Sequence, residues 1–344
     1  MTTSLARTTS APGHAQGRGP GHKDGHGHEH GHGGEEGGGA GTRRGRRTAA
    51  VAVVTGVVML AAARLPSGPG HLVGLAQTFL PWLGLSVPLL LVLAVVRSAR
   101  VAAVAVLVPA VAWCSLFGGL LVDGRGDGGD LTVVSHNVRE ANPDPRGTAR
   151  ALAASGAGLL ALQELTPQAA PVYERALAGA YPYHAVRGSV GLWSAYPLRD
   201  AEPVPIMPWT RALRAVVDTP KGPLAVYVVH LASVRVSLEG GFATGRRDEA
   251  AARLAEAVRA ERLPRVLVAG DFNGAPDDTS LRPLTGQLRS AQRVAGRGFG
   301  FTWPAAFPLA RIDQILMKGV TPTASSTLPR TGSDHLPVAA SLRL

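Results

Sequence analysis

The sequence predicts a layered α/β (α+β) domain preceded by three transmembrane helices and a disordered N-terminal tail. Three observations carry this. Eight short apolar runs, from Leu131–Val134 to Pro337–Leu342, alternate with segments of helical periodicity over residues 131–344, and mixed strands and helices imply a layered fold. Three apolar segments precede them at 48–63, 72–96 and 101–122, and a membrane span needs about 20 apolar residues. Residues 1–47 are Gly-rich and poor in apolar side chains, too poor to offset the entropy of ordering a chain.

Taken in order, the tail holds His22, His26, His28, His30 and His32, which largely alternate with Gly. Such a tract either binds a metal such as zinc or nickel or is simply a soluble flexible tail. Arg43, Arg44, Arg46 and Arg47 close it. Segment 48–63 is uncharged but short for a span. Segment 72–96 is long enough, with Pro81 and Pro88 as expected kinks, and 101–122 is long and uncharged. A buried helical domain is the alternative for all three, but soluble helices usually keep a polar face. Basic residues flank one side of the set: the Arg43–Arg47 cluster before the first segment, and Arg97 and Arg100 between the second and third. By the positive-inside rule both are cytoplasmic, so three crossings leave residues 123–344 outside. Residues 123–130, Gly- and Asp-rich, are expected to be a short flexible linker.

Composition sets limits. The net charge is +11, but it divides as +3 in residues 1–47, +3 in 48–122 and +5 in the rest. No concentrated basic stripe announces a nucleic-acid domain. The single cysteine, Cys114, excludes a disulfide framework within one chain.

Within 131–344, strand-like runs end repeatedly in polar residues. Val268-Ala269-Gly270-Asp271-Phe272-Asn273-Gly274 is the most pointed case. Positions i and i+2 of extended chain project to one side, so Asp271 and Asn273 can converge on one group; an Asp-x-Asn before Gly is also an ordinary turn. Ser135-His136-Asn137 follows Leu131–Val134, Gln163-Glu164 follows Leu159–Leu162, His230 follows Leu224–Val229, and Ser333-Asp334-His335 precedes Leu336-Pro337-Val338. Polar clusters where apolar strands stop are what an active site at a sheet end looks like.

This ordered set, with Arg311-Ile312-Asp313, resembles the endonuclease/exonuclease/phosphatase superfamily over about residues 131–344. The resemblance implies a four-layer β-sandwich: two packed mixed sheets, helices outside, and the site at one end. It implies a metal-dependent phosphoric ester hydrolase using magnesium or manganese, hard cations that take oxygen ligands. By the same resemblance Glu164 and Asp334 are the metal ligands and Asp271 the base. Asn137 supports the metal cluster and Asn273 helps hold phosphate and water. His335 contacts phosphate, oriented by Asp313, and His230 contacts phosphate or leaving group. Arg235, Arg246 and Arg247, after His230, read either as a second phosphate site or as a solvated helix start.

Tail, spans and compact catalytic domain together resemble the membrane-anchored teicoplanin-resistance proteins of that superfamily. This implies a lipid-linked cell-wall precursor or another phospholipid as substrate. The alternatives are an extracytoplasmic nuclease, which the paucity of aromatic residues outside apolar runs disfavours, and a non-catalytic membrane binding protein on the same scaffold. The sequence assigns no oligomeric state.

Overall fold

The computed structural model describes residues 36–66, 72–233, 235–237, 241–243 and 245–344. The His-rich tract therefore lies outside the described residues. Helix α1 (Glu36–Ala62) is followed by α2 (Leu72–Phe79), a 3₁₀ turn at Leu80–Leu85, α3 (Ser86–Val96), α4 (Arg100–Ala105) and α5 (Leu107–Leu121). Among the described residues, three stretches are long and apolar enough to cross a membrane: Arg43–Ala62, Ala76–Val96 and Arg100–Leu121. Starting the first helix before the basic cluster gives it the length that segment 48–63 lacks. Pro81 interrupts the second at the 3₁₀ turn, as expected of a residue with no N–H to donate. Pro88 makes no break, because it falls in the first turn of α3, where N–H groups have no intrahelical partner anyway. Val54, Leu89, Val92, Val101 and Val111 point outward. An apolar exterior of this kind fits a lipid environment, not water.

The bundle has two distinct ends. Arg97 Nη1 donates to Thr48 Oγ1 at 2.8 Å, which brings the two basic loops together. At the other end Thr279 Oγ1 donates to the Leu65 carbonyl at 3.1 Å, and Gly298 N donates to the Leu120 carbonyl at 2.7 Å. The globular part packs there.

That part holds strands β1 (Leu131–Asn137), β2 (Leu159–Gln163), β3 (Tyr183–Arg187), β4 (Val190–Ser194), β5 (Leu198–Pro203), β6 (Ala212–Thr219) and β7 (Gly222–His230). There follow β8 (Arg235–Ser237), β9 (Gly241–Ala243), β10 (Val266–Asp271), β11 (Arg289–Ser290), β12 (Asp313–Lys318), β13 (Thr321–Thr327) and β14 (Val338–Arg343). Helices α6 (Pro145–Ala153), α7 (Ala170–Leu177), α8 (Gly245–Ala260), α9 (Arg282–Thr285) and α10 (Ala291–Ala295) complete it. One six-stranded sheet runs β13-β14-β1-β2-β4-β3, the other β11-β12-β10-β7-β6-β5. Both are mixed: β1 and β2 are parallel, as are β7 and β10, and their other neighbours are antiparallel.

The sheets pack face to face through Val133, Ala161, Leu192, Val228, Leu267 and Ile315. Helices α6 and α7 cover the outer face of the first sheet, with Leu152 and Tyr173 on Leu160 and Trp193. Helix α8 covers the second, with Ala251 and Leu254 against Val229 and Val268. This is the four-layer sandwich the resemblance implies. Central strands are buried on both faces, so they read as continuous apolar runs. Each fully buried Val or Leu contributes roughly 1.5–3 kcal/mol.

Two differences from the sequence reading are physical. Strands β3, β5 and β13 were not expected, because edge strands with one face in solvent carry no apolar run: β13 is Thr-Pro-Thr-Ala-Ser-Ser-Thr. Residues 123–130 are not a free tether. Gly124 N donates to Gly296 O at 3.0 Å, Gly126 N to Thr323 O at 2.7 Å and Asp130 N to Leu342 O at 2.7 Å, so backbone pairing lays the segment along the domain.

Candidate active site

Strand register assembles the site. Within the second sheet Asp271 lies opposite His230 on one side and Asp313 on the other, so three site residues form one cross-strand row. Within the first sheet Asn137 lies opposite Gln163, which sets Glu164 at the same end. Gly270 is part of β10. Its φ of +159° and the Val229 carbonyl leave no room for a Cβ, so glycine lets β10 close on β7. The turn begins after Asp271. Asn273 N donates to Asp271 Oδ1 at 2.8 Å, and Asn273 Nδ2 donates to Leu231 O at 3.0 Å. Both readings of Asp-x-Asn thus hold: the pair makes a turn, and the turn fixes the carboxylate.

Asn137 Nδ2 joins the two sheets. It donates to Glu164 Oε1 at 2.9 Å and to Asp271 Oδ2 at 3.0 Å. Glu140 N donates to Glu164 Oε2 at 2.9 Å, and Arg139 N to Asn137 Oδ1 at 3.0 Å. His230 Nε2 stands 3.7 Å from Glu164 Oε1 and 3.6 Å from Asp271 Oδ2. On the far side His335 Nδ1 donates to Asp313 Oδ2 at 2.8 Å, and Ser333 Oγ fixes the loop by donating to Asn137 O at 2.7 Å. Arg139, Glu164 and Asn273 have φ of 65°, 60° and 47°. Left-handed backbone at three non-glycine residues around one cluster is strain of the kind held at functional sites.

The electrostatics separate the titrating groups. Burial, then the nearby Asp313 carboxylate, pushes the Asp271 carboxyl up to about 7, against the opposing pull of His335, Asn273 N–H and Asn137. For His335 burial disfavours the charge, but the Asp313 carboxylate and its hydrogen bond prevail and push the imidazole up to about 10. His230 is held well below its ordinary value by burial, then by Arg211 and His335. A neutral imidazole and an imidazolium therefore flank one row of carboxylates.

Among the described residues, two sets of groups could hold a cation: Glu164, His230 and Asp271, and Asp271, Asp313 and His335, with the ligand atoms of each set within 4.8 Å of one another. The first fits better. His335 is cationic and already engaged with Asp313, whereas the Glu164 and Asp271 oxygens converge on a neutral imidazole. Asp334 belongs to neither set among the described residues. It is half-exposed, 3.9 Å from Arg139 Nε. The structure thus brings Asn137, Glu164, His230, Asp271, Asn273, Asp313 and His335 together and sets Asp334 at the rim.

Sequence reasoning missed Arg211, whose guanidinium lies against the His230 ring and whose carbonyl accepts from His230 N at 2.8 Å. It also missed Arg139 and Glu140, which act through backbone N–H groups that no side-chain pattern reveals. The suggested second phosphate site needs revision. The side chain of Arg235 lies outside the described residues. Arg246 lines a cavity of about 300 Å³ with Met207, Trp209 and Arg211. Arg247 is buried and committed: it pairs with Asp278 at 2.7 Å and donates to Asn273 O at 3.0 Å. It props the Asp271–Asn273 turn from behind. Arg247→Met should cost about 3–5 kcal/mol of stability by leaving the Asp278 charge buried. Denaturant unfolding checks this, and a loss below about 1 kcal/mol, the usual worth of an exposed pair, would show that the pair is dispensable.

Residues 134–335, more than half of the chain, match the model of the endonuclease/exonuclease/phosphatase family. The chain belongs to this family. Members of the endonuclease/exonuclease/phosphatase family are hydrolases that depend on divalent metal, and the first cluster could hold one. The Escherichia coli uncharacterized protein YbhP is 34% identical over 131 residues, 36% of this chain and 49% of that protein, so the match spans about half of the curated relative. Solved family structures share the fold. The endonuclease/exonuclease/phosphatase from Bacteroides vulgatus superposes with a TM-score of 0.54 at 16% identity, covering 62% of this chain and 98% of that one. A humanized D. rerio TDP2 gives 0.52 at 20%, covering 62% and 99%. The Bacteroides thetaiotaomicron mannosyl-6-phosphatase Bt3783 gives 0.51 at 17%, covering 62% and 100%.

Proposed function

We propose that this family member is a membrane-anchored, metal-dependent phosphohydrolase with its active site outside the cytoplasmic membrane, acting on a phosphoester or pyrophosphate of a lipid or cell-wall precursor. The observation that carries the chemistry is the pair Glu164–Asp271, tied by one amide and set between a neutral and a charged histidine. Glu164, with His230 and Asp271 beside it, would hold a magnesium or manganese ion, which would supply charge neutralisation at the phosphate oxygens. Asp271, whose carboxyl burial and Asp313 raise to about 7 without metal, takes a proton from the attacking water, while Glu164 would be the principal ligand of the cation. The water oxygen forms the new P–O bond as the ester P–O bond breaks, and the leaving oxygen is protonated from solvent. The His335 imidazolium, held by Asp313, neutralises a phosphate oxygen. His230 contacts the phosphate or its leaving group. Asn137 and Asn273 hold the two carboxylates in place.

Three apolar helices with both basic loops at one end and the catalytic domain at the other support the membrane part. This layout is similar to that of the teicoplanin-resistance branch. The full chain in lipid nanodiscs, given magnesium and a panel of lipid pyrophosphates, phospholipids, soluble phosphomonoesters and plasmid DNA, should release product fastest from a lipid-linked substrate and lose activity with EDTA. Faster attack on plasmid would make it a nuclease. No product from any, with folded protein, would end the enzymatic reading. A reporter fused after Leu344 should be active only if its activity requires export; a cytoplasm-only reporter that works there would reverse the topology.

A further inference from the structure

One segment joins the spans to the active site. Phe301 stacks on Trp82 with ring centroids 5.4 Å apart, and Phe299 lies edge-on to Trp113 and Phe117 at 6.0 Å each. Trp82 Nε1 donates to the Leu309 carbonyl at 2.8 Å. Trp82 is six residues inside the stretch Ala76–Val96, and Trp113 is eight residues from the end of Arg100–Leu121. At 1.5 Å per residue these are about 9 and 12 Å from the span ends. Tryptophan is enriched at the membrane–water interface, and the interfacial zones bring a bilayer of about 30 Å hydrocarbon to about 40–45 Å. Residues that touch this tryptophan pair are therefore level with the lipid headgroups or below them.

The other face of the same segment supports the catalytic row. Thr302 Oγ1 accepts from Asp313 N at 3.4 Å, and Thr302 O accepts from Leu336 N at 2.8 Å. Ala305 N donates to Asp334 O at 2.7 Å. Between these anchors the turn presents Trp303, 39% exposed, and Phe307, 69% exposed. An apolar tip continuous with the span ends, two residues from a helix–domain contact on either side, has an obvious neighbour.

We infer that the Trp303–Phe307 turn is a membrane-docking element, seated in the headgroup region of the bilayer that the chain's own helices cross. The site mouth beside Asp334 then opens at the lipid surface, and a phosphoester at headgroup level reaches it without leaving the bilayer. The inference rests on reading the three helices as spans; it does not require that catalysis occur.

The test places a fluorophore and needs no substrate. Cys114 is the only cysteine, so Phe307→Cys in a Cys114→Ala background takes a single environment-sensitive label. The full chain is reconstituted in nanodiscs whose lipids carry a nitroxide at the headgroup. The Phe307→Cys label should shift to the blue and lose most of its emission to these lipids. A label at Lys221→Cys, in the turn before β7 and at the opposite end of that strand from His230, should do neither. The wild-type chain labelled at Cys114, with nitroxide on the acyl chain, reports whether the spans are inserted. If Cys114 is quenched and the Phe307 position behaves like Lys221, the docking inference falls and the membrane reading stands. If Cys114 is also unquenched, both fall. A blue shift at Phe307 without lipid quenching would mean that protein, such as a second copy, covers the turn, and overturns the inference too.

Discussion

Asp271→Asn is expected to lower turnover by about 10²–10⁴-fold, the usual worth of a positioned base, and to remove the acidic limb of the pH–rate profile. With the carboxyl raised by burial to about 7 without metal, and lower once a cation binds beside it, the wild-type rate should rise with pH at or below about 7 and fall as His335, near 10, loses its proton. These are apparent values of a coupled cluster and belong to it as a whole. The same shift has a stability consequence in the metal-free protein. Because burial raises the folded carboxyl above its unfolded 3.8, the native state keeps a proton that the unfolded chain has released between about pH 4 and 7. Stability linked to this group therefore declines as pH rises through that window. Asparagine does not titrate, so the melting temperature of the variant relative to wild type should move upward from pH 4 to pH 7 in EDTA. A variant that keeps the wild-type acidic limb would assign the base to another residue.

Much of this arrangement was legible in the sequence because buried parallel strands carry unbroken apolar runs that end abruptly. The exits of β1, β2, β7 and β10 are marked by Asn137, Glu164, His230 and Asp271, and each motif lies at a strand end in the structure. What the sequence could not show was register. Nothing in Arg311-Ile312-Asp313 says that Asp313 pairs across from Asp271 and not one residue along, and that register determines whether Asp313 faces His335. Donors from the backbone were also invisible. Glu140 N–H and Asn273 N–H hold the two central carboxylates, yet their side chains carry no such signal. Arg247 misled for a different reason. A basic residue at a helix start reads as solvated, but Asp278, far along the chain, draws it into the interior. The polar edge strands and the paired segment 123–130 escaped notice because backbone hydrogen bonds, not apolar side chains, fix them.

Glu164→Gln is expected to raise the magnesium needed for half-maximal rate by about 10–100-fold, the range seen when the hydrogen-bonded shell of a metal site is disturbed. The change removes the charge and also breaks the local bonding. Both Glu164 oxygens accept an N–H, one from Asn137 and one from Glu140. A glutamine amide can accept only on its oxygen, so its NH₂ must face one of those donors; facing the buried Asn137 amide, it would leave that donor unmet at a cost of about 1–3 kcal/mol. The side chain would have to turn away from the cluster, on a residue whose φ of 60° leaves little freedom to compensate. Asp334→Asn provides the comparison, because the family resemblance pairs Asp334 with Glu164 at the metal while the structure sets it at the rim beside Arg139. Asp334 has no carboxylate partner in either candidate set, so its variant should shift the magnesium requirement less than Glu164→Gln does. Titrating magnesium against rate in both variants, with manganese in parallel, decides the matter. A larger shift for Asp334→Asn would move the cation to the Ser333–His335 side and leave Glu164 with the task of positioning Asn137.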